Sequence, residues 1–172
     1  MSTATFFPVK PVVGPQIMSG SSVVFKSAYT ALGGGAYTAN DVVGDLVEFP
    51  TAARRPGGTG VIQSLGFYDL SNQKTAFTLI LFSDNPSGST FTNNGTVTIA
   101  AADTTKILGI ISVAAGDYTT FDSKAYGWNR NLGALYGVAG AGTSLYGVVV
   151  TTGTPTYAAV SDFQFWLGCL LD

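Results

Sequence analysis

Apolar residues in this chain recur at every second position, in short runs, and that spacing commits it to strands. In "TAFTLILFS" (75–83), Phe77, Leu79 and Leu81 fall on one face, with Ala76, Thr78, Ile80 and Phe82 on the other. "SLYGVVVTT" (144–152) sets Leu145, Gly147 and Val149 against Tyr146, Val148 and Val150. The run "FQFWLGCLL" places Phe163, Phe165, Leu167, Cys169 and Leu171 opposite Gln164, Trp166, Gly168 and Leu170, and "GVIQSLGFYDL" (60–70) groups Val61 with Leu65 and Phe67. A strand alternates its side chains between two faces, whereas a helix repeats its apolar positions at three and four. No ten-residue stretch carries a helical stripe.

Further strands are expected at 21–27, 44–49, 107–113 and across 118–128, with additional short runs at 95–101 and 133–138. The one helical signal is "AADTTKIL", where Asp103 is expected to cap a single turn with Ile107 and Leu108 packed beneath. Glycine, proline, asparagine and aspartate punctuate the runs. The longest such stretch, "SDNPSGSTFTNNGT" (83–96), reads as an exposed loop closed by a tight Asn94-Gly95 turn. Eight or nine strands with regular turns give an all-β chain, a sandwich or a barrel. At 172 residues it fits one domain, over 21–172.

Residues 1–20 form a separate arm. Pro8, Pro11 and Pro15 in "FFPVKPVVGPQ" exclude a regular helix and favour an extended, polyproline-like segment. Phe6 and Phe7 gain nothing from water, so the arm is expected either to pack back on its own sandwich or to dock on a neighbouring chain. Phe6, Phe7, Pro8 and Pro11 are therefore interface candidates.

Only 10% of the residues are charged while 46% are hydrophobic, and the net charge is −2. Ordinary soluble domains carry roughly 25% charged residues, so an isolated monomer would have limited protection against self-association. The eight Lys and Arg are scattered, which excludes the basic stripe that wrapping nucleic acid requires. No apolar run approaches the roughly 18 residues of a membrane-spanning helix, and "MSTATFFPVKPVVGP" lacks the pattern of a secretion signal. Synthesis in a cytoplasm is expected. With no histidine and one cysteine, His-based triads, His/Cys zinc sites and intramolecular disulfides are all excluded. Cys169 lies in an apolar run and is expected to be a buried, inert thiol.

The remaining motifs offer little chemistry. "RRPGGTG" (54–60) puts Arg54 and Arg55 beside a glycine-rich turn, as a phosphate loop would. It lacks the lysine–hydroxyl pair, and a strand pattern rather than a helix follows. It is expected to be a turn, with Arg54 and Arg55 solvated or paired with a carboxylate, of this chain or of another subunit. The ten acids mostly abut turns, so neither a glycosidase pair nor a cation site from Asp41, Asp45 and Asp84 has supporting spacing. No catalytic, metal or cofactor site is expected. Tyr118, Tyr126, Trp128 and Tyr136 are aromatics that serve carbohydrate stacking, an interface or a core, and Trp128 is the interface candidate among them.

The segment "GDLVEFPTAARRPGGTGVIQSLGFYDLSNQKTAFTLILF", followed by "KILGIISV" and "LYGVVVTTGTPTY", resembles a group of small structural proteins of tailed bacteriophages, the head decoration or cement proteins. The resemblance covers about residues 20–172 and leaves the arm outside. It implies a jelly-roll-like antiparallel sandwich, assembly as a homotrimer, and a place on the outer surface of the virion's capsid. The implied partner is the major capsid protein, whose neighbouring subunits it would bridge. A tail- or fibre-associated module that binds host glycan, or another virion protein, is the alternative.

Overall fold

A computed structural model describes residues 21–172; the expectations for the arm at 1–20, with Phe6, Phe7, Pro8 and Pro11, lie outside the described residues. The chain forms an all-β sandwich. Its strands are β1 Ser21–Lys26, β2 Gly35–Ala36, β3 Val42–Phe49, β4 Thr59–Asp69, β5 Phe77–Phe82, β6 Ile107–Val113, β7 Tyr118–Phe121, β8 Lys124–Gly137, β9 Leu145–Thr151, β10 Thr156–Tyr157 and β11 Phe163–Leu171. Five strands in the order β1-β11-β4-β8-β7 make one sheet, and four in the order β3-β9-β5-β6 make the other. The two-residue strands β2 and β10 pair with each other.

The pairing is nested. β1 pairs with β11, β2 with β10, β3 with β9, β4 with β8 and β5 with β6, all antiparallel. The chain is thus one long folded ribbon, rolled so that β11 also meets β4 and β9 also meets β5. Rolling brings the inward faces together. Phe67 packs edge-on against Phe77 and Tyr118 at 5.2 and 4.8 Å, Phe77 against Phe163 at 5.2 Å, and Phe49 against Phe165 at 5.9 Å. Aromatic pairs in this arrangement each contribute about 0.5–1.5 kcal/mol beyond the area they bury.

Alternation holds where the strands are regular and fails at bulges. Along β11 the buried and outward residues alternate as the sequence predicts. In β4 the register slips against β8 between Ile62 and Ser64, so Ile62 is buried while Val61 faces outward. The expected grouping of Val61 with Leu65 and Phe67 is corrected: one bulge shifts the phase of every residue before it. The run expected across 118–128 is two antiparallel strands, since Asp122 and Ser123 take positive φ and turn β7 back into β8. Residue 133 onward is the end of the single strand β8, whose Asn131 and Gly133 take φ of 61° and 58° opposite the slip.

Three other expectations are corrected. Residues 95–101 are not a strand; Thr96 and Thr98 make isolated bridges to Asp41 and Thr90. The stretch 83–100 is not a free loop. Its Phe91, Val97 and Ile99 pack on the outer face of the four-stranded sheet, against Val42, Ile80, Phe82, Val148 and Val150. Its tight turn closes one residue early, with Gly95 N–H donating to Thr92 at 3.0 Å and Asn94 taking the positive φ. Finally, Asp103 sits inside the 3-10 turn Ala101–Lys106 instead of capping it. Its carboxylate accepts from the Lys106 ammonium at 2.9 Å and the Ser89 hydroxyl at 2.7 Å, which hold it below the usual carboxylate range.

Candidate interaction face

The two sheets differ in what covers their outer faces. Residues 83–100 lie over the four-stranded sheet. Among the described residues nothing comparable lies over the five-stranded sheet, and its exposed outward side chains include large ones. Trp128 is 56% exposed, Phe121 63% and Leu135 80%, with Val24, Tyr126 and Leu170 also exposed.

Strand register assembles these side chains into rows. Lys26, Trp166, Gly66 and Trp128 stand side by side on β1, β11, β4 and β8. Gly66 is the hinge of that row: a Cβ there would fall 2.1 Å from the Trp166 ring. Without one, Trp166 lies across β4 and meets Trp128 edge-on at 5.9 Å. The Arg130 guanidinium stands 5.7 Å from the Trp128 ring centre, within cation–π range. The next row carries Gln164, Tyr68, Tyr126 and Thr119. Tyr68 touches Tyr126 and Trp166 at 6.3 and 6.4 Å, and Phe121 extends the series from Tyr126 at 6.2 Å. Partial burial, and then neighbouring Tyr126, hold the Tyr68 phenol above its ordinary value, so it stays a hydrogen-bond donor.

Shallow grooves run between these rows. One of about 530 Å³ is lined by Asp117, Phe121, Tyr126, Trp128, Arg130 and Trp166. Another, of about 320 Å³, lies between Lys26, Tyr68, Gln164 and Trp166. Broad aromatic surface with a few polar groups at its margin is suited to binding a surface or an extended chain; it does not enclose a small molecule for reaction.

Of the sequence candidates among the described residues, Trp128 and Tyr126 lie on this face. Arg54 and Arg55 are exposed in the 50–58 connection, at the Thr59 end of β4, whereas Trp128 pairs with Gly66 roughly 20 Å along the strand. That connection is a turn followed by a strand, with Gly58 N–H donating to the Arg55 carbonyl at 2.9 Å and Gly57 at φ 69°. It has no helix N-terminus for a phosphate. Tyr118 and Tyr136 are core residues instead, donating to the Thr75 and Ala52 carbonyls at 2.9 and 2.6 Å. The signal for Trp166 and Tyr68 was present in the alternation, since both fall opposite the apolar face.

The carboxylates are engaged locally. Asp41 accepts from the Thr38 N–H at 2.7 Å, Asp45 from the Thr30 hydroxyl and N–H, and Asp84 from the Asn85 N–H at 2.8 Å. Among the described residues no three metal-ligating side chains come together. Asp69 is fully buried at the end of β4, where it accepts from the Lys74 N–H at 2.8 Å; burial raises its pKa against those hydrogen bonds. Cys169 is buried and unpaired, its thiol pushed up to about 11 by burial, with the Tyr136 hydroxyl opposing the shift. A thiol so held is not a nucleophile near neutrality. Among the described residues no helix is long and apolar enough to cross a membrane.

In comparisons with known proteins, no family model matches the chain and no curated protein matches it.

Proposed function

We propose that this chain is a virion structural protein, a trimeric decoration or cement protein that stabilises an assembled phage head by bridging major capsid subunits on its outer surface. The observation that carries the reading is the aromatic face of the five-stranded sheet, exposed among the described residues. Tryptophan, tyrosine and arginine are the residues that anchor protein interfaces, and here they converge on one surface of a chain with very few charges. The nested strand pairing supports a jelly-roll arrangement. The acids engaged in turns, together with the missing histidine, support a non-enzymatic role.

The action is thermodynamic. A protein that binds the closed shell and not its separated subunits stabilises the shell by its binding free energy. Fully covering a Trp128 side chain that is now 56% exposed removes on the order of 100 Å² from water, about 2–3 kcal/mol. The test is co-sedimentation with empty shells assembled from the major capsid protein of the genome that encodes this chain. Binding to shells but not to free capsid subunits is the expected result. Equal binding to both, or to neither, refutes the reading.

A second reading, a tail- or fibre-associated module that binds host glycan, is favoured by one observation. Trp128 and Tyr126 offer flat ring surface beside Arg130 and Asp117 in the same groove. Saturable binding to host-cell glycan, lost in Trp128→Ala, is its test.

A further inference from the structure

The molecule itself shows what covering a sheet of this kind takes. Over the four-stranded sheet, residues 83–100 lay down Phe91, Val97 and Ile99. The five-stranded sheet has no such cover among the described residues, and the sequence holds one further strongly apolar stretch, "FFPVKPVV" at 6–13. We infer that residues 6–15 of a second copy of this chain lie in the aromatic grooves of the five-stranded sheet. The inference rests on the assembled state proposed above and names the contact that joins its subunits.

The chemistry of the two surfaces matches. Pro8-Val9-Lys10-Pro11 spaces two prolines three apart, which places them on the same side of a polyproline helix. Such a ridge docks between flat aromatic rings, and Tyr68, Tyr126, Trp128 and Trp166 supply them. The lengths match as well. Residues 6–13 at about 3.1 Å each span about 25 Å. The sheet from β1 to β7 is four strand spacings wide, about 19 Å. Lys10 has an acid to face, Asp117, which lines the larger groove.

Chain direction favours a neighbour's arm over the chain's own. Ser21 pairs with Leu171, whereas the tryptophan row is reached at Lys26, about 17 Å further along β1. A segment that continues the line of β1 before Ser21 therefore leads away from its own aromatic rows. To cover them in its own molecule it must reverse completely just before the strand begins.

The experiment places a nitroxide at Ser2→Cys in the full-length Cys169→Ala chain and observes the indole signals of Trp128 and Trp166. Mixing spin-labelled chains with isotope-labelled chains that lack the nitroxide should broaden those two signals. Broadening only when both labels sit on the same chain would overturn the inference in favour of the chain's own arm. Absence of broadening in either sample would overturn it too. Light scattering on the same samples separates the two claims: a trimer without broadening removes this contact and leaves assembly standing, while a monomer removes the assembled state itself. As a second variant, Phe6→Ser/Phe7→Ser should weaken subunit association at least tenfold with the denaturation midpoint of the sandwich unchanged; unchanged association would refute the contact.

Discussion

Gly66→Ala is the sharpest test of how the aromatic face is built. The added Cβ would fall 2.1–2.4 Å from three atoms of the Trp166 indole, far inside contact distance. In an unobstructed strand the same change stabilises by roughly 0.5–1 kcal/mol, because alanine has less chain entropy to lose. Overpacking in a closed site costs about 1–3 kcal/mol. Trp166 is only half-buried, so its ring can swing outward, which selects the lower part of that range. Swinging out also breaks the edge contact with Trp128, about 0.5–1.5 kcal/mol. The net expectation is a loss of about 1–2 kcal/mol. Gly109→Ala is the control: it also sits in a strand, and nothing lies within 4 Å of its added Cβ. Urea midpoints give the stabilities, and near-ultraviolet circular dichroism reads the coupled indoles. In a Trp166→Ala background the clash is absent, so Gly66→Ala should there become neutral or stabilising, a non-additivity that only direct contact produces. If Gly66→Ala is as stable as Gly109→Ala and keeps its near-ultraviolet signal, the row of tryptophans across Gly66 is not as described.

Asn93 joins the 83–100 cover to the rest, accepting from the Tyr37 hydroxyl at 2.6 Å and the Gly44 N–H at 3.0 Å while donating to the Gly33 carbonyl at 2.6 Å. Asn93→Ala should cost about 2–4 kcal/mol in thermal or chemical unfolding by leaving those groups unpaired; a loss under about half a unit would deny it that role. Cys169→Ala should fold and assemble, losing about 1–2 kcal/mol to a small cavity, and the native thiol should resist alkylation at neutral pH; rapid alkylation without unfolding would contradict its burial. Asp69 has a folded pKa raised above its unfolded value, so its contribution is full below the ordinary value of 3.8 and declines as pH rises through the raised one. Relative to Asp69→Asn, the wild type should therefore lose stability across that rise; an unchanging difference would show that the carboxyl is not desolvated.

Much of the layering was written in the chain. β5 and β9 are apolar on both faces, which fits the layer that the structure lays over the four-stranded sheet. Within that layer, 83–96 carries Asn-Pro, Ser-Gly and Asn-Gly turn signals that outweigh the lone Phe91, while Val97 and Ile99 alternate as in a short strand although they only pack on the sheet. β8 was read as two strands for a similar reason: "NRNLG" has the composition of a turn, yet cross-strand pairing to β4 on both sides of it holds a bulge there. The face is legible in part. Alternation sends Trp166 and Tyr68 outward, but only register shows that Trp166, Gly66 and Trp128 are neighbours, and register depends on bulges that local sequence does not mark.

The proposed arm contact also has a geometric consequence. An arm on one copy and a face on the next are different surfaces, so the interface is head-to-tail and must close into a ring to be finite. In a closed trimer every chain gives one arm and receives one. A chain truncated before residue 16 can still receive but cannot give, so a single such chain opens the ring. Mixed at equal amounts with full-length protein, random assembly leaves about one trimer in eight with all three arms. Burial of Phe6 and Phe7 contributes on the order of 3–6 kcal/mol per arm before ordering costs, and the prolines lower those costs by restricting the free segment. Losing one of three such contacts should therefore release subunits well beyond the truncated share. The measurement is sedimentation velocity across the mixing series. A trimer fraction that falls steeply and non-linearly with truncated chain is the expected outcome. A linear fall would mean that each arm acts alone on its own molecule, and the ring would have to be abandoned.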